Sequence, residues 1–199
     1  MIYLTSSQNV QFARVPHPKE TICGDDGAAW DDGQYTWLAV SDGLGHGTGA
    51  ATATKAGLDW ISKNYVDDIE ATIRACDRAI RHTRGISLNL IKIDRENRTA
   101  KYLSVGANLG WKVQRKGVRR LVSNAGVVGN GVSKLQIFDV ILDGAGYLVL
   151  ASDGLSNSSD VSQLYNSWNS ENQTSAEALL TRWNTGTDDA SVLVYRFTS

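Results

Sequence analysis

A chain of 199 residues, 42% hydrophobic and 21% charged, can bury a core without staples and lacks the composition of a disordered segment. Its 20 basic and 21 acidic residues leave a formal net charge of −1 and are mixed along the sequence, which excludes the sustained basic stripe of a nucleic-acid binder. No apolar run approaches the roughly 18–20 residues of a membrane helix, and the opening MIYLTSSQNVQ lacks the charged and apolar regions of a signal peptide, so a cytoplasmic protein bound to neither nucleic acid nor membrane is expected.

In chain order, YTWLAV at 35–40 reads as a buried strand ending in the glycine-rich corner SDGLGHGTG. Beyond it, Ala50, Ala53, Thr54, Gly57, Leu58 and Ile61 recur at helical spacing, and Ile69, Ile73, Cys76 and Ile80 do so again after Asp67 and Asp68. The period then shortens. SLNLIKID, TAKYLSV and WKVQRKGVRRLV read as strands of an antiparallel meander, followed by a loop, SNAGVVGNGVSK. IFDVILD and GYLVLASDG form a further pair of strands about Gly144, Ala176 to Trp183 supplies a helical face, and SVLVYRF closes the chain as a buried strand. This order predicts an α+β layered domain with helices outside antiparallel sheets. With no repeat, no low-complexity tract and only Pro16 and Pro18 as prolines, residues 1–199 are expected to form one domain.

Four acidic residues share one context: Asp25 in CGDDG, Asp42 in SDGLGHG, Asp153 in SDGLSN and Asp188 in GTDDAS each stand where an apolar strand begins or ends. One Asp-Gly corner is most simply a turn. Two SDGL corners after long apolar runs, with DDAS before the last strand, point instead to a shared site. Carboxylates meeting there would repel by several kcal/mol unless neutralised, on the order of 4 kcal/mol for unit charges about 4 Å apart at a surface-like dielectric. No lysine or arginine lies within these motifs, so divalent cations are the natural counter-charge, and hard oxygen ligands favour Mg²⁺ or Mn²⁺ over zinc.

The residues CGDD, SDGLGHG, RGISLNL at 84–90, SVGAN at 104–108, ASDGL at 151–155 and TDDAS at 187–191 resemble the metal-dependent protein phosphatases of the protein phosphatase 2C type. The resemblance implies an antiparallel β-sandwich flanked by helices, a four-layer αββα fold. It also implies two Mn²⁺ or Mg²⁺ ions and hydrolysis of phosphoserine and phosphothreonine in proteins. Carried over, Asp42 would bridge the ions, with Asp25 and the Gly43 carbonyl on one side and Asp153 and Asp188 on the other. Asp26 and Asp189 adjoin these ligands. The short length and the CGDD opening look most like the bacterial stressosome feedback phosphatases, so phosphorylated stressosome proteins are the expected partners of a monomer. An anti-anti-sigma protein as target, or a silent binding module of the same fold, are the alternatives.

The chain departs from eukaryotic members in carrying Leu44 directly after the Asp-Gly, where they have a histidine, and no arginine matches the one with which they grip phosphate. His46, two positions on, is the candidate catalytic acid, weighed evenly against a plain polar turn residue. Cys23 precedes acidic residues and Cys76 lies on an apolar helix face, so both read as structural thiols rather than nucleophiles. The glycines from 43 to 49 lack the GK[ST] ending of a nucleotide-binding loop. Trp30, Trp111 and Trp168 are candidates for a docking surface, with core packing the default.

Overall fold

The structure, a computed structural model, describes residues 9–156, 161 and 176–198. The strands are β1 (Val10–Val15), β2 (Asp25–Asp31), β3 (Tyr35–Gly43), β4 (Ile86–Asp94), β5 (Thr99–Val105), β6 (Leu109–Gln114), β7 (Gly117–Leu121), β8 (Phe138–Ile141), β9 (Gly146–Ala151) and β10 (Ala190–Phe197). Helices α1 (Gly47–Asn64) and α2 (Ile69–Ala79) follow β3, and α3 (Ala176–Trp183) precedes β10. The strands form two five-stranded antiparallel sheets, one ordered β2-β3-β4-β5-β8 and the other β1-β10-β9-β6-β7.

Alternation along the central strands builds the layers. Trp37 and Ala39 of β3 and Leu88 and Leu90 of β4 face a cluster shared with Ala53, Leu58 and Ile61 of α1 and Ile73 and Cys76 of α2. Their neighbours Leu38, Val40, Ile91 and Ile93 face the opposite way, onto Leu148, Leu150, Leu193 and Tyr195 of the second sheet. On that sheet's outer side, Val149, Val192 and Val194 pack on Leu179, Leu180 and Trp183 of α3. A period of two in each strand therefore covers both faces of each sheet and yields the expected helix-sheet-sheet-helix layering. Asn89 pins the sheets together near the site: its fully buried amide donates to the carbonyls of Leu109 (3.0 Å) and Ala151 (3.3 Å) and accepts from the Tyr102 hydroxyl (2.8 Å). Asp68 caps α2 by accepting from the amides of Glu70 and Ala71, so this helix begins where its sequence predicts.

The structure corrects the strand pairings. The meander is broken after β5: β4 and β5 pair in the first sheet, whereas β6 and β7 pair in the second. Gly106, at φ +98°, turns the chain there, and a Cβ at this position would lie 2.4 Å from the Ser87 hydroxyl. Likewise β8 and β9 flank the Gly144 turn without pairing to each other. β9 is buried along most of its length and lies between β6 and β10, while β8 has one exposed face and takes the edge beside β5. A strand apolar on both faces needs a central place, and one apolar on a single face tolerates an edge. β1, which carries no clear alternation, completes the second sheet by pairing with β10. Trp30 and Trp111 are buried in the core, 8% and 5% exposed, rather than displayed for docking; Trp168 lies outside the described residues.

Candidate metal centre

Asp25 opens β2 and stands directly opposite Asp42 in the β2-β3 ladder. Asp25 is completely buried, and neither of its carboxylate oxygens has a hydrogen-bond partner among the described residues. Burial pushes its pKa well above the ordinary carboxylate range, and the Asp189 and Asp153 charges add to the effect; the nearby Ser152 and Ser191 hydroxyls oppose it without making a well-formed bond to either oxygen. Asp42 is shifted upward too, chiefly by desolvation and then by Asp25, Asp153 and Asp188. Asp153 is raised by burial and by Asp188. Four carboxylates remote in sequence thus feel one another at one end of the sandwich, grading from buried Asp25 through half-buried Asp42 to Asp153 and Asp188 on the solvent side.

The neighbours of these residues divide. Asp26 turns away to pair with Arg14 at 3.0 Å and to accept from the Gly27 amide at 2.9 Å. Asp189 turns inward: one oxygen accepts from the His17 amide at 2.8 Å, and the other is buried without a partner among the described residues. Asp188 accepts from the Asp189 amide at 2.8 Å. Among the described residues no three His, Cys, Asp or Glu side chains enclose an ion as they lie. The donor set nevertheless fits hard divalent cations, because buried carboxylate oxygens without hydrogen bonds, already in mutual repulsion, need positive charge.

Glycine sets both corners. A Cβ on Gly43 would lie 2.1 Å from the Ala50 carbonyl oxygen, so only glycine lets the end of β3 pass against α1. A Cβ on Gly154 would lie 2.0 Å from the Asp189 carbonyl oxygen, the contact that seats the Asp153 corner on the start of β10. Since backbone cannot retreat as a flexible side chain can, Gly154→Ala is expected to cost about 2–4 kcal/mol of stability. Its urea midpoint should fall accordingly, and an unchanged midpoint would show that the corner yields freely.

His46 occupies the N-cap position of α1 without capping it. Its Nδ1 lies 2.7 Å from Glu20 Oε1, and its ring stacks on that of His17, with centroids 4.5 Å apart and planes inclined by 14°. Through His17 this pair adjoins Asp189. The imidazole therefore sits on the exposed rim of the carboxylate cluster, held by two residues that sequence reading missed; HPKE at 17–20 carries no periodicity or motif that would have revealed them. The thiols are inert by environment. Burial, then the Asp25 charge, pushes Cys23 up to about 12, and burial with Asp77 pushes Cys76 up to about 12, so neither is a thiolate near neutrality.

Residues 32–198 match the family model described as stage II sporulation protein E (SpoIIE). The chain belongs to this SpoIIE family. Phosphoserine phosphatase RsbX of Bacillus subtilis (strain 168) is 32% identical to it over 108 residues, which are 53% of this chain and 54% of the relative. The chain thus spans about half the length of the curated relative it matches. Among solved structures, RsbX in complex with magnesium superposes with a TM-score of 0.81 at 23% identity, over 98% of this chain and 99% of that one. A structure from work on the bacterial stressosome as a modular system adapted to control secondary messenger signalling gives 0.82 at 23% identity, over 94% and 97%. These likenesses show the protein phosphatase 2C-like fold for the SpoIIE-family chain. Among the described residues, no helix is long and apolar enough to cross a membrane.

Proposed function

We propose that this SpoIIE-family chain is a cytoplasmic, metal-dependent protein serine/threonine phosphatase, a single catalytic domain acting as a monomer. The observation that carries the reading is Asp25, fully buried, with both oxygens unpartnered among the described residues, and set opposite Asp42. Asp25, Asp42, Asp153, Asp188 and the Gly43 carbonyl would hold two Mn²⁺ or Mg²⁺ ions. Bound there, such ions supply an acidified water for attack on phosphorus and stabilise the charge that moves to the leaving oxygen.

The protein's own part is positional and acid-base. Asp42, between the two sheets' contributions, sets the place where attack occurs. His46, with Nδ1 committed to Glu20, leaves Nε2 to protonate the departing seryl or threonyl oxygen. With Cys23 and Cys76 protonated, no cysteinyl-phosphate intermediate is part of the scheme. The two outer carboxylates lie on the solvent side, which suits a phosphorylated side chain presented by a folded protein. The likeness to a structure from work on the bacterial stressosome supports phosphorylated stressosome proteins as substrates, with an anti-anti-sigma protein as the alternative.

The test is phosphate release from each purified phosphoprotein, with Mn²⁺, with Mg²⁺ and with chelator. Release from the stressosome proteins that chelation abolishes is expected. Release from the anti-anti-sigma protein alone would move the target, and no release from any phosphoprotein would leave only a binding module.

A further inference from the structure

We propose that Arg84 is the residue that grips the substrate's phosphate beside the carboxylate centre, an assignment that rests on the phosphatase reading above. Arg84 lies two residues before Ile86, which pairs with Gly43 at the end of the β3-β4 ladder, and the Leu44 amide donates to the Gly85 carbonyl at 3.1 Å. The arginine is thereby fixed beside the corner that carries Asp42. Its guanidinium lies over the glycines of that corner: a Cβ on Gly49 would fall 2.4 Å from Cζ, and one on Gly45 would fall 3.1 Å from a terminal nitrogen. Glycine at 45 and 49 thus leaves room for a flat cation, a use for the glycine-rich stretch that its spacing does not disclose.

Arg84 is exposed and makes no ion pair or hydrogen bond among the described residues. Arg14, the other arginine near the cluster, is already committed to the Asp25 carbonyl at 2.8 Å and to Asp26. A phosphate monoester approaching four carboxylates brings further negative charge, and cations balanced by those carboxylates leave it to be matched from elsewhere. A guanidinium supplies two parallel N–H donors suited to two phosphate oxygens.

Inorganic phosphate titrated calorimetrically into the Mg²⁺-loaded protein tests this without relying on turnover. Arg84→Ala should raise the phosphate Kd about tenfold or more, and Arg84→Lys should recover part of the loss, because a charge remains but the fork does not. Gly49→Ala, whose new methyl meets only the movable end of Arg84, should shift the Kd in the same direction with the charge intact. With a phosphoprotein, Arg84→Ala should raise KM more than it lowers kcat, and the rise in melting temperature caused by Mg²⁺ should be unchanged in all three variants. Equal phosphate affinity in wild type and Arg84→Ala, or no phosphate binding to the loaded wild type, overturns the assignment. Binding that depends on Arg84 without hydrolysis of any phosphoprotein would uphold the anion grip and sink the phosphatase reading instead.

Discussion

Asp42→Asn should lower metal-dependent phosphate release by at least about a thousandfold while raising the melting temperature of the metal-free protein. The two effects have one cause. Asp42 is desolvated and faces the charges of Asp25, Asp153 and Asp188, so its carboxylate is costly in the metal-free fold and, on the proposed reading, central to holding cations. An amide of the same shape removes the repulsion and most of the affinity for a hard cation. Relief of roughly 1 kcal/mol would appear as a gain of about 2–4 °C for a domain of this size. Scanning calorimetry after chelation, paired with a phosphate-release assay, reads both. A variant that retains activity would remove Asp42 from the centre; one that melts lower than wild type would show that the repulsion is not what shapes the metal-free fold.

The second large effect is a pH dependence that runs against the usual carboxylate pattern. Asp25 and Asp42 have folded pKa values above the unfolded carboxylate value of about 4. The folded state therefore binds their protons more tightly, and the stability this confers is complete below the unfolded pKa. It is lost as pH rises through the raised folded values, across the neutral and mildly alkaline range. Asp94 and Asp143, whose pKa values are lowered, one by Asn97 and the other by Lys112, act in the opposite sense but below about pH 4, outside this window. Cations binding the ionised cluster add stability of about 2.7 kcal/mol at a hundredfold excess over Kd. Melting curves from pH 5 to 9, with Mg²⁺ and with chelator, should show a gap that widens with pH. A constant or narrowing gap would mean that the carboxylates do not take up the ions.

The elements themselves were legible from local pattern. Trp37 to Val40 alternate between two apolar layers, and Ala50 to Ile61 repeat at helical spacing, because burial of one face or both is written in the residues of a single segment. The aspartates at strand ends were legible for a related reason: an anion after an apolar run, followed by glycine, makes little sense for an isolated segment, and its recurrence invited the idea of a common site. The same logic failed for β8 and β9, whose short turn implies a hairpin, since adjacency in sequence does not say which sheet a strand must fill.

What the amino-acid order determined by itself is therefore the helices and the strands from Tyr35 onward, their buried faces and the four carboxylates at strand ends, whereas β1 and β2 carried no such signal. Only assembly decided that β6 and β9 join the second sheet, that Asp189 turns inward while Asp26 turns to Arg14, that Glu20 reaches His46 across 26 residues, and that Arg84 lies over Gly45 and Gly49. The reason is physical: a segment's periodicity states how much of it must leave water, whereas its partner depends on which other surfaces arrive. A side chain such as Asp189, bonded to an amide 172 positions away, acquires its orientation only when both strands are in place.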